Sequence, residues 1–450
     1  IAWARRNVAL IVGLSDQDED FNKANELLAA NRAMLGETPE DQRVRAIILG
    51  ERSDVESMTE AARILEELAK RQTLYSLADN YLRARMYARL GDWSRHNRTM
   101  REVLGNGGVD DPQYVQAFAR SLLEQGMTSD AEQWFERLKG LTPGELSTAE
   151  LEAELLYRSE DYASLAALFV RLQREEDRAE LDRWAAEYAE LYGLLVEEKG
   201  NIPESQALFT VARELFTELS QQPEAAHVLA SFRARQGEVE GAIAELTSSA
   251  WEAGQVADVG QSALQTAKST AEQLKKLIVA IEAKEQLQDD LLILTCLGDL
   301  YGWVGDWEQA TRKYDQILAK DATNMVALNN QAMLLGLYGQ QLDKATTAIE
   351  RAIGLNGPRD YLLDTRGIVQ LAKGNHLEAF RDFTTSLQSA QSPDRYFHLA
   401  QAQAKIGQID GARASLEQAM QAGITASKLH PAERPAFEAL VQKLGLQLVN

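Results

Sequence analysis

Histidine and cysteine, which often carry enzyme chemistry or hold metals, are few in this chain of 450 residues. Their spacing matches none of the catalytic or metal-binding motifs considered below. No two of its five histidines stand four residues apart around a glutamate, as a zinc-protease helix requires. Cys296 is the only cysteine, so the chain can form neither an internal disulfide nor a Cys/His zinc site. No phosphate-binding loop and no nucleophile elbow occurs. The sequence predicts no enzyme activity, no metal and no cofactor.

Charge and hydropathy exclude further classes of function. The net charge of −21 disfavours binding to nucleic acid and to anionic membranes, which attract clustered Lys and Arg. The apolar run at 8–14 is shorter than the roughly 20 residues that a membrane span needs. The charge is uneven: 43–101 holds 12 Lys/Arg against 8 Asp/Glu, and 132–224 holds 21 Asp/Glu against 9 Lys/Arg. Charged surfaces of this kind are usually solvated faces, and the alternative is that they select a partner by charge. We expect a cytoplasmic protein, since a single cysteine is in keeping with reducing conditions.

A repeat of about 34 residues positions the side chains of the last third of the chain. Small residues recur with gaps of 34, 35 and 33 at Gly298, Ala332, Gly367 and Ala400. A second small residue recurs with gaps of 35, 34 and 33 at Ala310, Ala345, Ala379 and Ala412. A large apolar residue follows each of these alanines by four positions, at Tyr314, Ile349, Phe383 and Leu416. This spacing is typical of stacked helix–turn–helix units whose helices cross at small residues.

These residues resemble the tetratricopeptide repeat (TPR) family. Leu291–Asn324 is the clearest unit, with Gly298, the turn Gly305-Asp306-Trp307, Ala310 and Tyr314 at the family positions. The resemblance is strong from about 291 to 420, fair from 77 to 175 and poor from 250 to 290. It implies an all-α fold, an α-solenoid of about twelve stacked TPR-like repeats that form a right-handed superhelix. Few prolines and abundant Ala, Leu, Glu, Gln and Arg favour helix over more than about two-thirds of the chain.

The quality of the repeat predicts four regions. We expect degenerate TPR-like repeats over 1–250 and an irregular helical connector at 251–290, where the turn glycine is missing. Regular repeats are expected over 291–424. A capping helix at 425–450 would cover the last repeat, as a solenoid requires.

The resemblance also implies where a partner binds. In TPR arrays the first helix of each pair lines a concave groove, and the matching positions of this chain give candidates for partner binding there. They are Asp299, Trp303, Asn329, Asn330, Met333 and Gln401. An amide such as that of Asn330 both donates and accepts hydrogen bonds, which suits an extended peptide backbone. The alternative is that these residues are ordinary polar lining.

Four arginines fall on first helices in the same frame: Arg85, Arg89, Arg120 and Arg158. Guanidinium groups along one wall could bind an acidic or phosphorylated segment bidentately. The alternative is that they pair with Glu124, Glu150 and Glu154 inside the groove. The sequence thus favours a non-enzymatic scaffold that binds a protein or peptide partner, including an acidic segment. The alternative is a non-catalytic repeat region of a larger enzyme or membrane-anchored protein whose other domain lies upstream of residue 1.

Overall fold

The computed structural model is a helical array without sheet in the part of the chain that it describes. The described residues are 1–15, 18–71, 76–173, 179–222, 225–248, 251–266 and 268–447. Helix accounts for 80% of them, in 25 α-helices. The prediction of an all-α helical-repeat fold is therefore confirmed. The helices separate into two compact units, Ile1–Val211 and Ala212–Asn450, which are described in turn.

The first unit is a series of helix–turn–helix pairs. Within it, each odd-numbered helix is followed by its partner, and neighbouring pairs pack against each other. The bounds are α1 Ala2–Gly13, α2 Asp18–Leu35, α3 Pro39–Glu51, α4 Val55–Lys70, α5 Leu77–Arg89, α6 Trp93–Gly105, α7 Pro112–Glu124, α8 Thr128–Leu141, α9 Leu146–Arg158, α10 Tyr162–Gln173 and α11 Ala179–Glu198. Helix α12, Ile202–Leu219, runs across the boundary between the units.

The second unit continues the pairing to the last helix. Its first helices α13, α15, α17, α19, α21 and α23 stack in order, and each second helix packs on the next first helix. The bounds are α13 Ala226–Arg235, α14 Val239–Ser248, α15 Ala253–Leu264, α16 Ala271–Glu282, α17 Leu291–Trp303, α18 Trp307–Lys320, α19 Met325–Leu337, α20 Leu342–Asn356, α21 Asp360–Ala372, α22 His376–Ser389, α23 Pro393–Lys405, α24 Ile409–Gln421 and α25 Arg434–Leu444.

The turn between α17 and α18 shows how the sequence ends one helix and begins the next. Gly305 has a φ of 89°, a left-handed conformation that favours glycine. The next residue, Asp306, caps α18, because its carboxylate accepts a hydrogen bond of 3.1 Å from the backbone N–H of Gln309. The Gly-Asp-Trp motif of the repeat therefore encodes both the end of α17 and the start of α18.

Close crossing of paired helices depends on the small residues of the repeat. A Cβ atom on Gly298 would lie 2.7 Å from Cε1 of Tyr314, and a Cβ on Gly367 would collide with the ring of Phe383. Ala332 and Ala400 occupy the same place in the other repeats and are fully buried. Because the aromatic ring lies directly on the backbone of the partner helix, the spacing between the two helices is set by the absence of a larger side chain.

The segment 251–290 supplies two further helices of 12 residues each. Helix α15 packs between α13 and α17, and α16 packs against α14 and α17. Gly260 of α15 again permits close approach, because a Cβ there would collide with Sγ of Cys296. The thiol of Cys296 is buried, and this burial raises its pKa.

The last helix, α25, covers the final repeat. Its apolar side chains join one buried cluster with Phe397 of α23 and Leu416 of α24. The buried residues of α25 are Phe437, Leu440, Val441 and Leu444. The exposed apolar surface that a terminal repeat would otherwise leave is thereby covered.

We expect Gly298→Ala to destabilise the protein by about 1–3 kcal/mol, because the added methyl group must displace the ring of Tyr314. Gly354→Ala in α20 is the matched control. A Cβ at Gly354 meets nothing within 4 Å, so the change should be neutral or stabilising by up to about 1 kcal/mol through helix propensity. Thermal and urea unfolding of both variants measures the difference. Equal stability of the two variants would contradict this account of the crossing.

Candidate functional site

An open cavity of about 600 Å³ lies on the first helices α5, α7 and α9 of the first unit. It brings together three of the four arginines that the sequence predicted, namely Arg85, Arg89 and Arg120. We call it the arginine cavity. Arg158 lies on α9 but does not line it. The other charged and amide side chains of its wall are Gln113, Gln116, Glu124 and Glu150.

Two of these arginines carry ion pairs that are partly open to solvent. Nη2 of Arg120 donates to Oε2 of Glu150 at 2.6 Å, and Nη2 of Arg85 lies 3.5 Å from Oε1 of Glu51. The side chains of Arg120 and Arg85 remain 43% and 44% exposed. Such exposed pairs contribute little to stability. Their guanidinium groups therefore stay accessible to another carboxylate.

The other two arginines hold backbone carbonyl groups. Arg89 donates to the carbonyl oxygens of Gly50 and Arg52 at the end of α3, the latter at 2.8 Å. Arg158 donates to the carbonyl of Leu123 at 2.9 Å and also pairs with Glu154. These contacts add side-chain donors to carbonyl groups at the C-terminal ends of α3 and α7. Arg89 and Arg158 therefore have a structural role as well as a charge.

A second cavity, of about 340 Å³, lies on the first helices α15, α17 and α19 of the second unit. It brings together four residues that the sequence predicted for the groove: Asp299, Trp303, Asn330 and Met333. We call it the Asp299 cavity. Asn329 does not line it and instead donates to Oδ1 of its neighbour Asn330 at 3.3 Å. Most of the remaining wall is apolar, with Leu264, Gly302 and Leu334.

Gln401 lies elsewhere, in an adjacent cavity of about 370 Å³. That cavity is bounded by Ile368 of α21 and by Ala432, Glu433 and Ala436 near the start of α25. The sequence placed Gln401 in one groove with Asp299, whereas the structure puts the two side chains in separate cavities.

The carboxylate of Asp299 is the centre of a hydrogen-bond network. Oδ1 accepts from the hydroxyl of Tyr314 at 2.6 Å and from Nδ2 of Asn330 at 3.1 Å. Oδ2 accepts from Nε2 of Gln261 at 2.8 Å. Burial raises the pKa of Asp299 above its ordinary 3.8, although the three hydrogen bonds act in the opposite direction. All three donors are neutral, so they orient the carboxylate without neutralising its charge.

The crossing geometry of the repeat places this network. Because Gly298 has no side chain, the ring of Tyr314 can lie on α17, and its hydroxyl then reaches Asp299 one residue further along. The sequence treated Tyr314 only as a packing residue and did not include Gln261. Comparison of the repeats contains the signal for Tyr314: of the four large residues at that position, it is the one with a hydroxyl group.

The chain leading into α25 forms one wall of the Asp299 cavity. The imidazole of His430 contacts Trp303 edge-on at a centroid distance of 5.2 Å, and Tyr338 at 6.0 Å. Nδ1 of His430 accepts a hydrogen bond of 3.2 Å from the backbone N–H of Ala432. Burial lowers the pKa of His430, so this imidazole is neutral at neutral pH. The sequence contained no signal for this contact, because its partners lie about a hundred residues apart.

A buried charge cluster fixes the same segment. Nδ1 of His398 lies 3.0 Å from Oδ1 of Asp364, and its Nε2 lies 2.8 Å from Oε1 of Glu433. Burial alone would lower the pKa of His398, but the two carboxylates outweigh it and raise the pKa well above 6.5. The charged imidazolium thus connects α21, α23 and the residue before α25.

Neither a metal site nor a membrane span occurs within the described ranges. No group of three or more His, Cys, Asp or Glu residues is arranged there to hold a metal ion. No described helix is both long enough and apolar enough to cross a membrane.

Comparison with known proteins gives likeness only to solved structures. No protein-family profile matches the sequence. No curated protein sequence matches it. A TPR protein from Parabacteroides merdae is similar at 14% identity and a TM-score of 0.42, over 58% of this chain and 98% of that one. A thermophilic TPR protein of Thermus thermophilus is similar at 15% identity and a TM-score of 0.35, over 43% of this chain and 97% of that one.

A third similar structure is a chain of the Cut9–Hcn1 hetero-tetramer of the APC/C, at 15% identity and a TM-score of 0.37. That match covers 98% of this chain and 93% of the other. Because all three scores are below 0.5, the class of fold rests on the repeats of this chain itself. Paired helices, Gly/Ala crossings and turn glycines in the left-handed conformation define an all-α helical-repeat fold in the described residues.

We expect His398→Gln to destabilise the protein by about 3 kcal/mol near neutral pH, because it leaves two carboxylates facing each other without the buried cation. The imidazolium has a raised pKa in the folded state, so its contribution is complete below about pH 6.5 and is lost as the pH rises through that raised value. The difference in melting temperature between parent and variant should therefore shrink at alkaline pH. His376→Gln, on α22, is the control and should show no such trend. A difference that grows with pH would contradict the assignment.

Proposed function

We propose that this chain is a non-enzymatic scaffold that binds a protein or peptide partner in a concave groove formed by the first helices of its repeats. The observation that carries the proposal is the position of the arginine cavity and the Asp299 cavity. In each, three successive first helices contribute side chains to one open surface. An extended peptide that crosses successive repeats meets polar groups at regular intervals on such a surface.

The two cavities suit different parts of a partner. The arginine cavity holds three guanidinium groups beside Glu124 and Glu150, so its charge is mixed. An acidic segment of the partner would replace Glu150 at Arg120 and Glu51 at Arg85, since both existing pairs are exposed. The Asp299 cavity has mainly apolar walls around one carboxylate and suits a different side chain.

The test uses the double variant Arg85→Glu/Arg120→Glu. It should lose partners from a pull-down in the source organism, because two cations of the arginine cavity become anions. Its melting temperature should stay near that of the parent, because exposed ion pairs contribute only about 0–1 kcal/mol. Capture by the parent should also weaken as salt rises, since charges are screened beyond about 8 Å at physiological ionic strength.

Arg137→Glu is the matched control for this experiment. Arg137 lies on the second helix α8, is 47% exposed and pairs with Asp110, so the change in charge is similar but occurs away from the first helices. It should retain the partners of the parent. Identical partner sets from the double variant and the control would exclude the arginine cavity from binding. A parent chain that retains no partner at all would contradict the scaffold function.

A further inference from the structure

We propose that the Asp299 cavity binds the side chain of a lysine supplied by the partner. This inference rests on the proposed scaffold function and adds the chemistry of one partner residue. The cavity would hold the ammonium group at the carboxylate of Asp299 and the aliphatic stem against Trp303 and Met333.

The carboxylate of Asp299 carries a charge that has no counter-charge nearby in the described part of the chain. Among the described residues Asp299 forms no ion pair, and its three hydrogen-bond donors are all neutral. His430, which forms part of the wall, does not supply the missing cation, because its Nδ1 accepts a hydrogen bond from Ala432. Carboxylates taken out of water are ordinarily paired, so an unpaired one in the wall of an open cavity indicates that the counter-charge comes from a ligand.

The fold does not require an acid at position 299. The position of Asp299 is occupied by Met333, Ile368 and Gln401 in the next three repeats. The position of Tyr314 is occupied in those repeats by three residues that have no hydroxyl group: Ile349, Phe383 and Leu416. The paired helices of those repeats therefore pack together without a carboxylate or a hydroxyl group at these positions. Of these four repeats, only the one formed by α17 and α18 has both polar groups, and its Asp299 and Tyr314 line the cavity. This is expected if the two residues serve binding.

The number of free lone-pair directions on Asp299 favours lysine over arginine as the ligand. A carboxylate offers about four lone-pair directions, and three of those of Asp299 already accept from Tyr314, Asn330 and Gln261. A guanidinium group binds best when both oxygens are free for a bidentate pair. An ammonium group needs only one remaining direction.

The walls of the cavity complete the match. The four methylene groups of a lysine can lie on apolar surface while the charged end reaches a polar group. Trp303, Met333, Leu264 and Leu334 supply that surface. A glutamate side chain would meet like charge at Asp299, and a norleucine side chain would leave the carboxylate unpaired.

The test measures binding of short capped serine peptides whose central residue is lysine, arginine, norleucine or glutamate. The readout is the ¹³C-methyl NMR spectrum of the 8 methionines of the full chain, in which Met333→Leu identifies the reporting signal. The lysine peptide should shift the Met333 signal saturably, and the arginine peptide should do so more weakly. Norleucine and glutamate peptides should leave it unchanged.

Asp299→Asn keeps the shape of the side chain and removes its charge, and it should weaken binding of the lysine peptide at least about tenfold. Its melting temperature should be equal to or above that of the parent, because a buried unpaired charge is removed while the amide can still bond to its neighbours. Asp315→Asn, an exposed acid of the adjoining helix α18, is the control and should bind as the parent does.

Equal binding of norleucine and lysine, no response to any peptide, or unchanged binding by Asp299→Asn would each overturn the lysine site. None of these results bears on whether the chain captures a partner. That question is decided by the pull-down with the parent, so failure of the lysine site and failure of the scaffold function are distinguishable.

Discussion

The contact between a small residue on one helix and a large ring on its partner governs the arrangement of this protein. Where Gly298 meets Tyr314, the ring already occupies the space that a methyl group on Gly298 would need. The same contact recurs at Gly367 and Phe383. Within the second unit, the first helices of successive pairs stack in order, so side chains of neighbouring first helices line shared cavities.

Within the second unit, two hydrogen-bonded charges, Asp299 and His398, stand at positions that other repeats fill differently. Asp299 stands where the next three repeats have an uncharged side chain, and Tyr314 stands where they have an apolar one. His398 connects two repeats to the chain before α25. Burying a charge lowers stability unless the charge is paired. His398 is paired within the chain, and its role is to hold the C-terminal segment. Asp299 forms no ion pair among the described residues, and we propose that a ligand supplies its counter-charge. The same physical criterion thus separates a structural charge from a candidate binding charge.

The sequence predicted the fold well, because the repeat encodes it locally. The spacing of Gly298, Ala332 and their equivalents identifies the helix pairs, and the turn Gly305-Asp306 marks a boundary that the structure reproduces. The sequence also predicted that Asp299, Trp303, Asn330 and Met333 share one surface. What it could not provide were contacts between distant parts of the chain, such as His430 against Trp303. Nor could it show that Arg89 binds the carbonyl groups at the end of α3. Such contacts depend on tertiary packing and leave no periodic signal.

Hydrogen exchange tests whether the first helices bind the partner. The full chain would be compared with and without a partner that co-purifies with it, and amide protection would be mapped by peptide mass spectrometry. If the first helices bind the partner, amide protection should increase on α5 and α7, or on α17 and α19, with little change on the second helices α8, α20 and α22. Protection confined to those second helices, with the first helices unchanged, would contradict it.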